Sequence, residues 1–91
     1  MVARKVIFEG RVQGVGFRYS TKQIALGFDL VGTVRNLTDG TVELKIMGDK
    51  EEVEEFIQEI VEESDLAGLI KDHQVWDIDT LKNCSGFSIS G

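Results

Sequence analysis

Proline is absent from this chain, and cysteine, histidine, tryptophan and tyrosine each occur once. These scarcities exclude several chemistries at the outset. A lone thiol, Cys84, supports no intramolecular disulfide, no CxxC redox pair and no thiolate cluster for zinc or iron–sulfur. The single histidine, His73, fits a surface or structural role. No apolar run approaches the roughly 20 residues that a membrane helix needs. The amino terminus lacks the apolar h-region and small-residue cleavage pattern of a secretory signal. A cytoplasmic location without a membrane partner is the expectation. Asn36-Leu37-Thr38 and Asn83-Cys84-Ser85 match the glycosylation pattern, but that pattern requires a secretory route the chain does not advertise.

Basic charge is also short. Ten Lys and Arg stand against sixteen Asp and Glu, a formal charge of −6. That balance argues against a general nucleic-acid binder, which carries a basic patch to neutralise phosphates. The charge is uneven, however: residues 1–35 hold six basic and two acidic residues, and residues 49–65 hold nine of the sixteen acids with Lys50 as the only base. The amino-terminal third is therefore positive, and a small anionic ligand remains compatible with an acidic chain.

What is present suits one small folded domain over residues 1–91, with 42% hydrophobic residues, five of them Phe, against 29% charged. Without prolines or repeats, element boundaries come from glycines and changes of hydrophobic period. Residues 4–10 read as a strand. Gly14 and Gly16, two apart, suit a tight backbone turn rather than a helix interior. Apolar positions 17, 24, 25 and 28, with Thr21 in the same stripe, predict a helix leaving near Gly27 to Asp29. Residues 30–36 and 41–47 form β-prone runs around the Asp39-Gly40 turn, and Val42, Leu44 and Ile46 alternate with Glu43 and Lys45.

Asp49 with Glu52 three residues on predicts a capped helix start with a capping box. Val53, Phe56, Ile57, Ile60 and Val61 then make a one-sided apolar stripe. Glu62 and Glu63 oppose the helix dipole and predict fraying at that end. Residues 73–79 and 87–89 complete the pattern as strands. Two helices of this length can pack on one face of a four- to five-stranded antiparallel sheet. This is an α+β, ferredoxin-like βαββαβ sandwich. A minimal mixed α/β domain and an RNA-recognition sheet are the alternatives, although Val42 to Ile46 offers no aromatic platform for bases.

The stretch with chemical content is Gly10-Arg11-Val12-Gln13-Gly14-Val15-Gly16-Phe17-Arg18, between a strand and a helix. Two glycines let backbone amides turn inward, the new helix adds unpaired donors, and Arg18 on its first turn can grasp phosphate oxygens as a fork. No Gly-Lys-Ser/Thr triplet follows and the dinucleotide GxGxxG spacing is missing, so ATP and NAD lose their usual support. Spacing alone also allows a plain tight turn with Arg18 on the surface. Asn36 likewise has two roles open to it, capping the β-turn or placing a water by donating and accepting together. Next to strand one, the end of strand two would bring Asn36 to the loop. The acids of helix two read as a solvated face rather than a divalent-metal cage. Phe17 reads as a core anchor, Tyr19 as helix-flank packing and Trp76 as sheet packing.

Gly10 to Tyr19, followed by Gly32-Thr33-Val34-Arg35-Asn36-Leu37-Thr38-Asp39-Gly40-Thr41-Val42-Glu43, resembles the acylphosphatase family. The likeness extends to Ala25, Gly48-Asp49 and Gly86-Phe87-Ser88-Ile89. Departures are Asp29 in place of a usual glycine, Thr33 in place of a frequent aromatic, and the absence of prolines before strand four. The resemblance implies an α/β sandwich that hydrolyses the carboxyl–phosphate bond of small acyl phosphates without metal or cofactor. Gln13, Gly14, Val15, Gly16, Phe17 and Arg18 would bind the phosphate, and Arg18 and Asn36 would be catalytic, with Asn36 positioning water. A monomer is the economical default. A noncatalytic or regulatory phosphate-binding domain of the same fold is the rival.

Overall fold

The computed structural model describes residues 1–82 and 85–90. The Cys84 thiol and the Asn83 glycosylation match fall outside the described residues. The elements are β1 (Val2–Gly10), α1 (Phe17–Ala25), β2 (Leu30–Asn36), β3 (Val42–Gly48), α2 (Lys50–Gln58), β4 (Ile70–Ile78) and β5 (Phe87–Ser90). A π-helical turn, Glu59–Glu63, and a short 3-10 turn, Ala67–Leu69, lie between α2 and β4.

The sheet order is β4-β1-β3-β2-β5. Strand alternation explains the core. Val6 and Phe8 on β1, Val34 on β2, and Val42, Leu44 and Ile46 on β3 are buried on one face. Against them pack Phe17 and Ala25 of α1, and Val53, Phe56, Ile57 and Ile60 from α2 and its continuation. The other face carries Lys5, Lys45 and Arg35, the last paired to Glu43 at 2.9 Å.

Several expectations are corrected. Strand two does not lie beside strand one, because β3 pairs with both β1 and β2 and occupies the gap between them. The crossover through α1 skips one strand width, and the β2–β3 hairpin turns back into the space left. Phe8, Val42 and Asn36 thus form one row across three strands. The sheet is also not wholly antiparallel, since β5 adds alongside β2 in parallel. Strand four begins at Ile70, three residues earlier than read, pairing along the outer edge of β1.

The capping box does not form. Asp49 caps α2 through its backbone alone, accepting from Val53 N at 3.0 Å. Glu52 instead accepts the Asp29 amide at 2.8 Å, tying α2 to the α1–β2 junction. Nor does the acidic end of the second helix unwind. It widens into the π-helical turn, closed by Ser64 N to Glu59 O at 2.8 Å and by Ser64 Oγ to Ile60 O at 2.8 Å. That closure keeps Ile60 fully buried. Trp76 packs across the strand pair on Lys5, whose Nζ lies 4.9 Å from its ring centroid, and leaves 41% of its surface exposed. Tyr19 does not pack against the flank of α1, being 63% exposed.

Candidate phosphate-binding site

The segment after β1 is held at both ends by the core. Val12 and Phe17 are each 1% exposed, and the Phe17 ring meets Phe8 at a centroid distance of 5.2 Å. Between these anchors, Gly14 and Gly16 adopt φ of 74° and 76°, left-handed backbone that a side chain makes costly. Gly10 begins the segment at φ 130° with a register shift beside it, and a Cβ there would stand 2.3 Å from Leu69 O. Glycine is the residue that lets β1 and the start of β4 approach so closely.

Gly16 also begins α1 without any side-chain cap. The Ser20 amide donates to Gly16 O at 3.0 Å. The amides of Phe17, Arg18 and Tyr19 precede that donor, so α-helical geometry offers them no acceptor and leaves them for a ligand or water. A cleft of about 170 Å³ opens in front, lined by Val12, Gly14, Gly16, Phe17, Arg18, Tyr19, Asn36 and Ile89.

Arg18 and Asn36 reach this lining from elements distant in sequence. Arg18 extends from the first turn of α1, and one of its contacts is a long one, Nη1 to Ser90 O at 3.5 Å on β5. Asn36 ends β2, and its Oδ1 is buried without a hydrogen-bond partner among the described residues. An unsatisfied buried acceptor is costly unless a water or ligand meets it. Among the described residues, the lining holds no carboxylate side chain, imidazole or hydroxyl nucleophile other than the Tyr19 phenol.

Other anticipated residues lie elsewhere. Val15 is 38% exposed on the loop and its side chain is not part of the cleft wall. The Gln13 side chain turns away from the cleft: Nε2 donates to Leu37 O at 2.8 Å and to Thr41 O at 2.8 Å. It clasps the loop to the β2–β3 turn directly after Asn36. That turn is braced further by Asp39, which accepts from the Thr41 hydroxyl at 2.6 Å and the Thr41 amide at 3.0 Å. The hydroxyl first, and then the amide, hold the exposed Asp39 carboxyl below its usual range. His73 stacks near Phe8 at 6.5 Å, outside the cleft. Among the described residues no group of three or more His, Cys, Asp and Glu is placed to hold a metal ion, and no helix is long and apolar enough to cross a membrane.

Sequence reasoning missed the part played by Tyr19 and Ile89 in the cleft, and the clasp made by Gln13. The helical period carried a signal for Tyr19, because Phe17 and Thr21 are the inward positions and residue 19 points away from both. Ile89 had no local signal, since its place depends on β5 pairing with β2.

The chain is similar to known proteins in sequence and in fold. The acylphosphatase family model matches residues 4–89. An acylphosphatase of Staphylococcus aureus (strain Newman) is 42% identical over 78 residues, which cover 86% of this chain and 86% of that protein. The crystal structure of acylphosphatase from Bacillus subtilis aligns with a TM-score of 0.88 at 33% identity, covering 100% of both chains. Full-length HypF, in its phosphate- and nucleotide-bound form, aligns with a TM-score of 0.84 at 32% identity, over 99% of this chain and 12% of HypF. The glycine loop, Arg18 and Asn36 thus sit in a chain matched to one family over nearly its whole length, in sequence and in fold, and the chain belongs to the acylphosphatase family of hydrolases.

Proposed function

We propose that the cleft hydrolyses the carboxyl–phosphate bond of small acyl phosphates, releasing carboxylate and inorganic phosphate. The observation that carries this reading is the meeting of Arg18, the glycine loop at the start of α1 and Asn36 at one small cavity. Arg18 and the amides around residues 14–18 hold the nonbridging phosphoryl oxygens while charge redistributes in the transition state. Asn36 holds a water in line with the scissile bond, accepting one of its hydrogens through Oδ1. Its amide is no base, so the proton passes to a phosphoryl oxygen or to the departing carboxylate.

The lining also indicates which bond can break. Among the described residues it contains no histidine, aspartate or glutamate side chain to act as general acid or base. A leaving group that requires protonation, such as an alkoxide, would find little help. A carboxylate, whose conjugate acid has a pKa of roughly 4, departs without it. Position and charge stabilisation are then sufficient, which matches what the site offers.

The test is phosphate release from acetyl phosphate, with and without chelator, by the parent protein and by Arg18→Ala and Asn36→Ala. Arg18→Ala loses about 10²–10³-fold in kcat/KM through its charge-assisted hydrogen bonds. Asn36→Ala loses about 10²-fold, mainly in kcat, because the water is no longer placed. Turnover is unaffected by chelator. Full activity in Arg18→Ala removes the phosphate clamp, and full activity in Asn36→Ala removes the water-positioning role while leaving the anion site.

A further inference from the structure

The cleft accommodates less than its ligand. At about 170 Å³ it is smaller than the roughly 300–1,000 Å³ of pockets that enclose a drug-sized molecule. A phosphoryl group and one water occupy much of that space, and the acyl group must pass over the rim. Two side chains in the lining are both large and exposed: Tyr19, 63% exposed on the first turn of α1, and Ile89, 38% exposed on β5. Neither is needed by the core, which excludes both. Among the described residues Arg18 is the only cation in the lining, and in the hydrolase reading it holds the phosphoryl group, so a second anionic group on the acyl side finds no further counter-charge among them.

We infer that Tyr19 and Ile89 form an acyl subsite which selects acyl phosphates bearing an apolar, preferably aromatic, acyl group. This rests on the hydrolase reading above. The Tyr19 ring provides a flat apolar face for offset stacking, and the branched Ile89 side chain provides a second apolar surface. The two come from different elements, and the Arg18–Ser90 contact runs between those same elements. Covering an exposed ring and an exposed aliphatic chain with an apolar acyl group removes apolar surface from water on both partners. A methyl group offers too little surface to gain much from either.

The experiment compares benzoyl phosphate with acetyl phosphate as substrates for the parent protein, Tyr19→Ser, Tyr19→Phe and Ile89→Ser. Inorganic phosphate serves as a competitive inhibitor that reports on the inner end of the cleft. The ratio of kcat/KM for benzoyl over acetyl phosphate is expected to be about tenfold or more in the parent. It falls about fivefold in Tyr19→Ser and in Ile89→Ser, and is retained in Tyr19→Phe, which keeps the ring. The inhibition constant of phosphate changes by less than the ratio does. A misfolded fraction lowers both rates together and leaves the ratio untouched, so the readout does not depend on yield. An unchanged ratio in both serine variants overturns the subsite, as does a shift in phosphate affinity as large as the change in ratio. A parent protein that hydrolyses neither substrate overturns the hydrolase reading and the subsite with it, whereas turnover with an unmoved ratio overturns the subsite alone.

Discussion

Replacing Gln13 with alanine removes both hydrogen bonds that Nε2 makes across to the β2–β3 turn, each 2.8 Å long. The carbonyls left behind are not stranded: Leu37 O still accepts from Gly40 N at 3.2 Å, and Thr41 O from Leu37 N at 2.9 Å. The cost is therefore the net worth of two partly buried bonds, about 0.5–1.5 kcal/mol each, without a full desolvation penalty. A total of about 1–3 kcal/mol lowers the melting temperature of a domain this size by about 4–24 °C. Gln13→Glu is a sharper probe. It keeps the volume but sets carboxylate oxygens against two carbonyl oxygens, so its loss at neutral pH exceeds that of alanine. The charged form is the penalised one, which raises the folded-state pKa of the introduced carboxyl. Its penalty is in force above that raised value and is relieved as the pH falls below the unfolded value of about 4.3, where the protonated acid can donate once. Thermal unfolding followed by circular dichroism at pH 7 and pH 4 measures both effects. A Gln13→Ala protein melting within about 1 °C of the parent, with Gln13→Glu no worse, refutes the clasp.

The glycines that shape the loop differ in a measurable way. Gly16→Ala places a Cβ that meets nothing within 4 Å, so only its left-handed φ of 76° is penalised, at about 1–2 kcal/mol. Gly10→Ala sets a Cβ 2.3 Å from Leu69 O and 2.7 Å from Lys71 N, and urea unfolding should show about 3 kcal/mol or more. The reverse order contradicts the packing described at the β1–β4 junction. The Asp39 carboxyl, followed by NMR, should titrate below the usual range, and Thr41→Val, which keeps the amide but loses the hydroxyl, should move it part of the way back. Because its folded-state pKa is depressed, the contribution of Asp39 to stability is present above the ordinary carboxylate pKa and disappears as pH falls through the lowered value.

Much of the architecture was legible because it depends on local periods. The stripe from Val53 to Val61 can bury its apolar side only as a helix, and the alternation from Val42 to Ile46 only as a strand. The glycine loop was legible for a related reason, since Gly14 and Gly16 adopt backbone conformations that other residues resist. Arg18 followed as a first-turn residue of the helix after it. The capping box at Asp49 and Glu52 misled, although its local chemistry was sound. Glu52 had a competing partner in the Asp29 amide, and only the folded chain brings that amide within 2.8 Å. Gln13 is a similar case. Its amide suits a phosphate as well as it suits a carbonyl, and the β2–β3 turn reaches it first.

From residue order alone one obtains the elements, the glycine-shaped turn and Arg18 and Asn36 as candidate site residues, because dihedral preference and side-chain chemistry are properties of short segments. The adjacency of those residues belongs to the folded molecule. β3 settles between β1 and β2 since that is where the hairpin buries both of its neighbours' apolar faces, and this row carries Asn36 to the cleft. β5 joins β2 in parallel and brings Ile89 to the rim opened by Tyr19 on α1. Such contacts join positions dozens of residues apart. Their free energy exists only once the intervening chain has closed, so no local pattern encodes them.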